Sequence, residues 1–454
     1  MEIEATGIVE VNGTAHIEES TVENGTPMSD IPSAKLEEIV VTDYIREALD
    51  KVAIAEGFQN YDFNVDHGSS IGDGFVGIML KVVINELDSD KTLTVLAKIP
   101  PASKARREQM KVMKLFEREV FVYNVMLPEF AQFQKDKRIS QQNGFFNFPK
   151  VYYADYCEEK DDGIIIMEDL RESGHRMWSK YNPVNLEHAK LLMASLGRLH
   201  AVSFAIKAKN PEMFEKYKNL NDYFSENFSD TGFQFFMTSA INKAIDCLDP
   251  EDLKNRAKAL KLLDYLQHGI SDCMTPECIE PYGIVNHGDC WTNNYLFHYT
   301  KRGRPESIVL IDWQISRYCS PIIDLVYFIF ICTDHQLRAK HFDELLNIYH
   351  HSLKVLLDHL GGDTMVQFPF TAFLRHLKRF GKFGVVMACM ILPMLQTKNE
   401  ELMDMDYMAE KMNNPDPVEM EKLMKEFMEK SSGYQTTQIR MREVLLDAIR
   451  YGYL

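Results

Sequence analysis

The chain has 454 residues, 45% of them hydrophobic and 26% charged, a composition that fits a globular protein with a large core. Fifty Lys and Arg stand against 67 Asp and Glu, and the net charge of −17 makes nucleic acid and anionic membrane surfaces poor partners. Eight Cys are too sparse for a disulfide framework.

Residues 1–34, rich in Glu, Thr, Asn and Gly, predict a disordered acidic tail. Met1–Asp30 lacks the basic start and apolar run of a secretory signal. The expectation is a cytoplasmic protein. A helix is predicted over Val41–Glu56, then a Gly/Ser-punctuated stretch that runs into a strand ending at Ile84. A second strand, Thr92–Ile99, carries Lys98 at its end and is stopped by Pro100-Pro101. Ser103–Met126 reads as one long helix, because Met110, Met113, Phe116, Val120, Tyr123 and Leu127 recur three and four apart, with Glu119 bordering that face. Tyr152–Tyr156 and Gly163–Met167 predict a strand hairpin, and from Leu186 onward the chain reads as mostly helical. The apolar runs Pro321–Thr333 and Gly384–Leu395 fall short of the ~20 residues of a spanning helix and predict core elements, not a membrane span. Cys273 and Cys278 lie close in sequence, but no second pair stands at ligand spacing, so they read as unligated thiols.

One interruption of the helical half carries the chemistry. Asn294–Tyr299 and Ser307–Ile311 predict two strands joined by a turn-rich connection. Immediately before them stands His287-Gly-Asp-Cys-Trp-Thr-Asn-Asn294, and after them Ile311-Asp-Trp-Gln314. Phosphoryl transfer needs a carboxylate to orient a hydroxyl and accept its proton, and oxygen ligands for Mg²⁺. Asp289 supplies the first, while Asn294, from the same loop, and Asp312 supply the ligands. Two surface aspartates flanking an ordinary hairpin would look the same one motif at a time; loop, hairpin and second aspartate in this order are specific. His287 joins Asp289 and Asn294 in the catalytic set as a scaffold that hydrogen-bonds the loop, and Asp324 as a buried carboxylate that accepts from its amides. The N-terminal half offers parts for ATP: a turn at Gly72, Asp73 and Gly74 to bring amides near phosphate, Lys98 to reach it, Glu119 to hold Lys98, and Glu168-Asp-Leu170 as a hinge beside adenine.

The segments Gly72-Asp-Gly-Phe75, Leu96-Ala-Lys-Ile-Pro100, Phe116-x-x-Glu119-x-x-x-Tyr123, Met167-Glu-Asp-Leu170, His287-Gly-Asp-x-Trp-x-x-Asn294 and Ile311-Asp-Trp-Gln314 together resemble the ecdysteroid kinase-like proteins of insects. These, the CHK kinase-like group, are relatives of choline kinases and aminoglycoside phosphotransferases. The resemblance implies an α+β, bilobal, protein-kinase-like fold, with a β-rich N-lobe over 35–169 and a mainly helical C-lobe over 170–454. It implies ATP and Mg²⁺ as cofactors and a small-molecule hydroxyl acceptor, an ecdysteroid or similar apolar metabolite, as partner. Where protein kinases usually carry a basic residue two after the catalytic Asp, this chain has Trp291, and no Ala-Pro-Glu segment follows Asp312. Both departures favour a small acceptor over a protein. A choline or ethanolamine kinase and a catalytically silent nucleotide-binding protein are the alternatives.

Overall fold

The computed structural model describes residues 32–36, 39–70, 76–220, 231–413 and 416–454. The turn at Gly72, Asp73 and Gly74 lies outside the described residues, as does nearly all of the predicted tail.

Pro32–Leu454 forms one compact unit of mixed α+β architecture. Its first part is a five-stranded antiparallel sheet of β1 (Tyr61–His67), β2 (Ile78–Glu86), β3 (Thr92–Ile99), β4 (Val151–Cys157) and β5 (Asp162–Glu168), in the spatial order β1-β2-β3-β5-β4. Alternation along β3 divides its side chains between two cores. Val95, Ala97 and Ile99 pack with helix α1 (Asp43–Ala55) on one face, while Leu96 and Lys98 point to the other. Lys98 is thus central, paired across the ladder with Met79 on β2 and Ile165 on β5.

The predicted long helix after β3 is instead three pieces. Helix α2 (Lys104–Gln109) is cut off from α3 (Val112–Phe121) by Lys111, whose φ of 49° is left-handed. A π-helical turn, Val122–Met126, then leads into α4 (Leu127–Asp136). Pro128 has no amide hydrogen for an α-helical bond, and the wider turn just before it absorbs the defect. β1 was not expected from the sequence, although its side chains alternate in burial along the edge of the sheet.

The second part is helical around two small sheets, β6 (Arg176–Met177) with β8 (Tyr295–Tyr299) and β9 (Pro305–Leu310), and β7 (Ile284–Val285) with β10 (Tyr318–Cys319). The predicted hairpin is the β8–β9 pair, and register sets Tyr295 opposite Leu310. Asn294 and Asp312 therefore emerge at the same end. Helix α5 (Leu186–Lys209) is long and apolar enough to cross a membrane, but 78% of its apolar window is buried in the protein, where it packs along His335–His359. The apolar run after Pro321 is the helix Ile322–Cys332, and every residue of it is buried.

Candidate active site

Lys98 leaves the sheet towards α3 and the loop after β9. Its Nζ donates to Glu119 Oε2 at 2.7 Å, Asp312 Oδ1 at 2.8 Å and Gln314 Oε1 at 3.1 Å. Burial works against the charge of Lys98, but the carboxylates of Asp312 and Glu119 outweigh it and hold its pKa above the ordinary lysine value. Burial pushes Glu119 upward against the pull of Lys98, and the like charge of Asp312 adds to the rise. Glu119 also accepts from the Trp313 amide at 3.3 Å, so α3 is fastened to the loop of Asp312 as well as to β3.

Asp312 has a left-handed backbone, φ 64°, which an L side chain adopts at a cost of ~1–3 kcal/mol. The neighbouring Trp313 is fully buried, its indole N–H on the Leu310 carbonyl and its ring against His287. That anchor turns Asp312 outward, with a quarter of its side chain exposed. Gln314 Nε2 reaches Asp312 Oδ2 at 3.3 Å.

The loop 286–294 is held from behind. Asp324, wholly buried, accepts from the amides of His287 and Gly288 at 2.9 Å each, from Asn286 Nδ2 at 2.8 Å and from His200 Nε2 at 3.2 Å. Burial alone would raise its pKa; the bonds from His200 and the loop reverse this and hold it below the usual carboxylate range. The His287 ring is also inside. Its Nε2–H donates to the Ile311 carbonyl at 3.0 Å and its Nδ1 accepts from the Asp289 amide at 3.2 Å, which fixes the tautomer. Burial lowers its pKa. Both ring nitrogens of His287 are thus engaged with the backbone of Ile311 and Asp289, and the buried ring orders the loop.

Asp289 Oδ1 accepts from the Tyr327 hydroxyl at 2.7 Å, and Oδ2 from Asn294 Nδ2 at 2.9 Å and Trp291 Nε1 at 3.2 Å. Burial, with Asp312 adding a like charge, pushes Asp289 up to about 6, against the pull of those three donors. A carboxylate poised there is basic enough to take a proton near neutral pH. With its amide nitrogen on Asp289, Asn294 has its amide oxygen turned away from that carboxylate. Among the described residues no group of three or more His, Cys, Asp or Glu could hold a metal ion. An amide oxygen and a carboxylate at one end of a hairpin suit Mg²⁺, which takes hard oxygen ligands and completes its shell with water and phosphate.

Three further expectations have a place in the fold. The Glu168 amide donates to the Lys150 carbonyl, and the Leu170 carbonyl accepts from the turn that follows it, so neither of these groups points out of the hinge. Trp291 is buried, its indole serving Asp289 instead of facing a ligand. Cys273 is buried with its thiol on the Ile270 carbonyl, and Cys278 is partly exposed. Sequence reading missed Gln314 on Lys98, His200 on Asp324, and Gly77, where a Cβ would lie 2.9 Å from the Ile99 carbonyl oxygen and 3.3 Å from the Lys98 side chain.

A family model described as the ecdysteroid kinase-like family matches residues 71–362, well over half of the chain. The chain belongs to the ecdysteroid kinase-like family. It is accordingly a small-molecule kinase-like protein. The match takes in all the segments on which the resemblance rests, and the helices from Thr364 onward lie beyond it. No match is found among the curated proteins. In this ecdysteroid kinase-like chain the segment after Asp312 is short and zipped down: Ser316 Oγ donates to the His287 carbonyl, the Arg317 amide to Asn286 Oδ1, and β10 pairs with β7.

Proposed function

We propose that the protein is an ATP-dependent kinase that transfers the γ-phosphoryl group to a hydroxyl of an apolar small molecule, with an ecdysteroid as the leading acceptor. The observation that carries the reading is the buried Asp289, raised to about 6 and set by the β8–β9 hairpin among Asn294, Asp312 and Lys98. Asp289 takes the proton of the acceptor hydroxyl. The acceptor oxygen forms a bond to the γ-phosphorus as the bond from that phosphorus to the bridging oxygen breaks, and ADP leaves with the electron pair. Lys98, held charged by Glu119, meets phosphate. Asn294 and Asp312 would hold Mg²⁺, which supplies charge neutralisation on the phosphates.

The fixed, short segment after Asp312 supports a small acceptor over a protein substrate, since there is little chain for phosphorylation to reorder. A steroid-sized acceptor is supported by family membership. The aromatic residues Tyr327, Phe328 and Phe330 do not add to that support, because all three are buried core. The test is ATP consumption with ecdysone, 20-hydroxyecdysone and choline, each checked for phosphorylated product by mass spectrometry. Steroid phosphate is the expected product. Choline phosphate without any steroid product would sink the ecdysteroid assignment and favour a choline kinase. A protein that binds MgATP yet modifies no hydroxyl compound would be a silent nucleotide binder. Cytoplasmic location is part of the proposal, in line with eight free cysteines among the described residues.

A further inference from the structure

Helix Ile322–Cys332 grips the loop of Asp289 at two levels. Asp324 takes the amides of His287 and Gly288, and Tyr327, three residues on and so on the same face, donates its hydroxyl to Asp289 itself. Three successive loop residues are thereby registered against one helix. The helix is in turn fixed from behind. Gly384 lies so close to it that a Cβ there would sit 2.3 Å from the Val326 carbonyl oxygen, and the Phe383 ring packs 6.5 Å from that of Tyr327.

A carboxylate has about four lone-pair sites, two on each oxygen. Asn294 and Trp291 fill both sites of Asp289 Oδ2, and Tyr327 fills one on Oδ1. Among the described residues one site remains, on Oδ1. We propose that Tyr327 is a positioning residue of the transfer site, whose hydroxyl locks the Asp289 side chain so that the open lone pair of Oδ1 meets the acceptor hydroxyl. The inference rests on the reading of Asp289 as the base. Tyr327 is 1% exposed and cannot itself touch an acceptor, so it acts through Asp289. The bond is short, 2.7 Å, as expected for a hydroxyl on a carboxylate.

The chain offers a built-in reporter. It has three Trp, and their indole N–H groups have different partners: Asn182 and Pro183 carbonyls for Trp178, Asp289 for Trp291 and the Leu310 carbonyl for Trp313. A ¹H–¹⁵N spectrum of the full chain resolves three indole signals, with Trp291 assigned from Trp291→Phe and its dependence on Asp289 checked with Asp289→Asn. Tyr327→Phe removes one oxygen and leaves the ring in place. The expected result is a Trp291 signal displaced by more than its linewidth, or split, with the Trp178 and Trp313 signals unmoved. Phe383→Leu, which disturbs the packing behind Tyr327 and spares its hydroxyl, is expected to leave the Trp291 signal where it is. With an acceptor from the screen, Tyr327→Phe is expected to lower kcat about tenfold at unchanged KM for MgATP. A Trp291 signal that holds still in Tyr327→Phe overturns the proposal, as does an equal displacement in Phe383→Leu, which would reduce Tyr327 to packing. A wild-type protein that phosphorylates nothing counts against the kinase reading, while the spectra still decide the placement of Asp289.

Discussion

At Asp312 two demands collide. The position needs a left-handed backbone, which glycine adopts freely, and it needs a carboxylate, which glycine lacks. The chain keeps the carboxylate and offsets the strain with the Lys98 ion pair, the Gln314 amide and the buried Trp313 beside it. Two substitutions separate the demands. Asp312→Ala is expected to raise at least tenfold the Mg²⁺ concentration needed for half of the ATP-dependent thermal shift. Asp312→Gly is expected to lose the Mg²⁺ response equally while relieving the strain, and so to melt no lower than Asp312→Ala. Unchanged Mg²⁺ dependence in both would mean that the metal is held elsewhere. Lys98, Asp289, Asn294 and Asp312 could be singled out from the sequence because each stands at a fixed offset from a turn or strand end, and Glu119 because it borders the apolar face of the helix after Lys98. Gln314 on Lys98 could not, because the two are 216 residues apart and only the folded chain brings them together.

The elements around the site show the same division. The β8–β9 hairpin, β3 and the core element after Pro321 were legible, since period-two alternation, a Pro-Pro stop and an apolar run interrupted only by Asp324 are local signals. The break at Lys111 was not. The apolar spacing of Met110, Met113 and Phe116 runs straight through it, and a single left-handed residue leaves no mark in periodicity. β1 carried a signal in Tyr61, Phe63 and Val65, but polar residues alternate with them on the sheet edge, and no strand was expected there. Within the loop 286–294 Gly288 has φ 92°, and a Cβ would lie 2.2 Å from the Ile315 carbonyl oxygen, a backbone atom that cannot step aside. Gly288→Ala is expected to destabilise the protein by roughly 3 kcal/mol or more, read from chemical denaturation, and to abolish transfer. A stability loss under ~1 kcal/mol would mean that the loop and the Ile315 segment move apart at little cost.

For the whole molecule, the two parts are joined at several places beyond the hinge. The Leu310 amide donates to the Asn147 carbonyl ahead of β4, Asn147 Nδ2 donates to the Ile308 carbonyl, and Ser33 forms a bridge with Met403. Acid stability is set by titratable groups buried inside the helical part. His376 on the helix Phe370–Phe380 packs against Ser320, its Nδ1 within 2.9 Å of the hydroxyl, and burial with Arg379 and Arg375 nearby pushes it down to about 4. Its folded pKa lies below the unfolded value near 6.5, so the unfolded chain binds the proton first and stability falls as pH drops from about 6.5 towards 4. At pH 5 this amounts to about 2 kcal/mol. His376→Gln is expected to lose less stability than the wild type between pH 7.5 and 5, by about that amount in urea denaturation, and equal losses would mean that His376 is not held neutral. The bilobal fold was legible because its motifs come in the order the fold requires; the joins that close it were not, since each pairs residues far apart in the chain.

The proposed transfer turns on Asp289 acting as the base. Its direct test is single-turnover transfer from [γ-³²P]ATP to the acceptor found in the screen, for wild type and Asp289→Asn, with MgATP affinity measured in parallel by titration calorimetry. Asp289→Asn is expected to transfer ~10² to 10⁴ times more slowly while MgATP affinity stays within about twofold of wild type. Transfer within a factor of about two of wild type would contradict the assignment of Asp289.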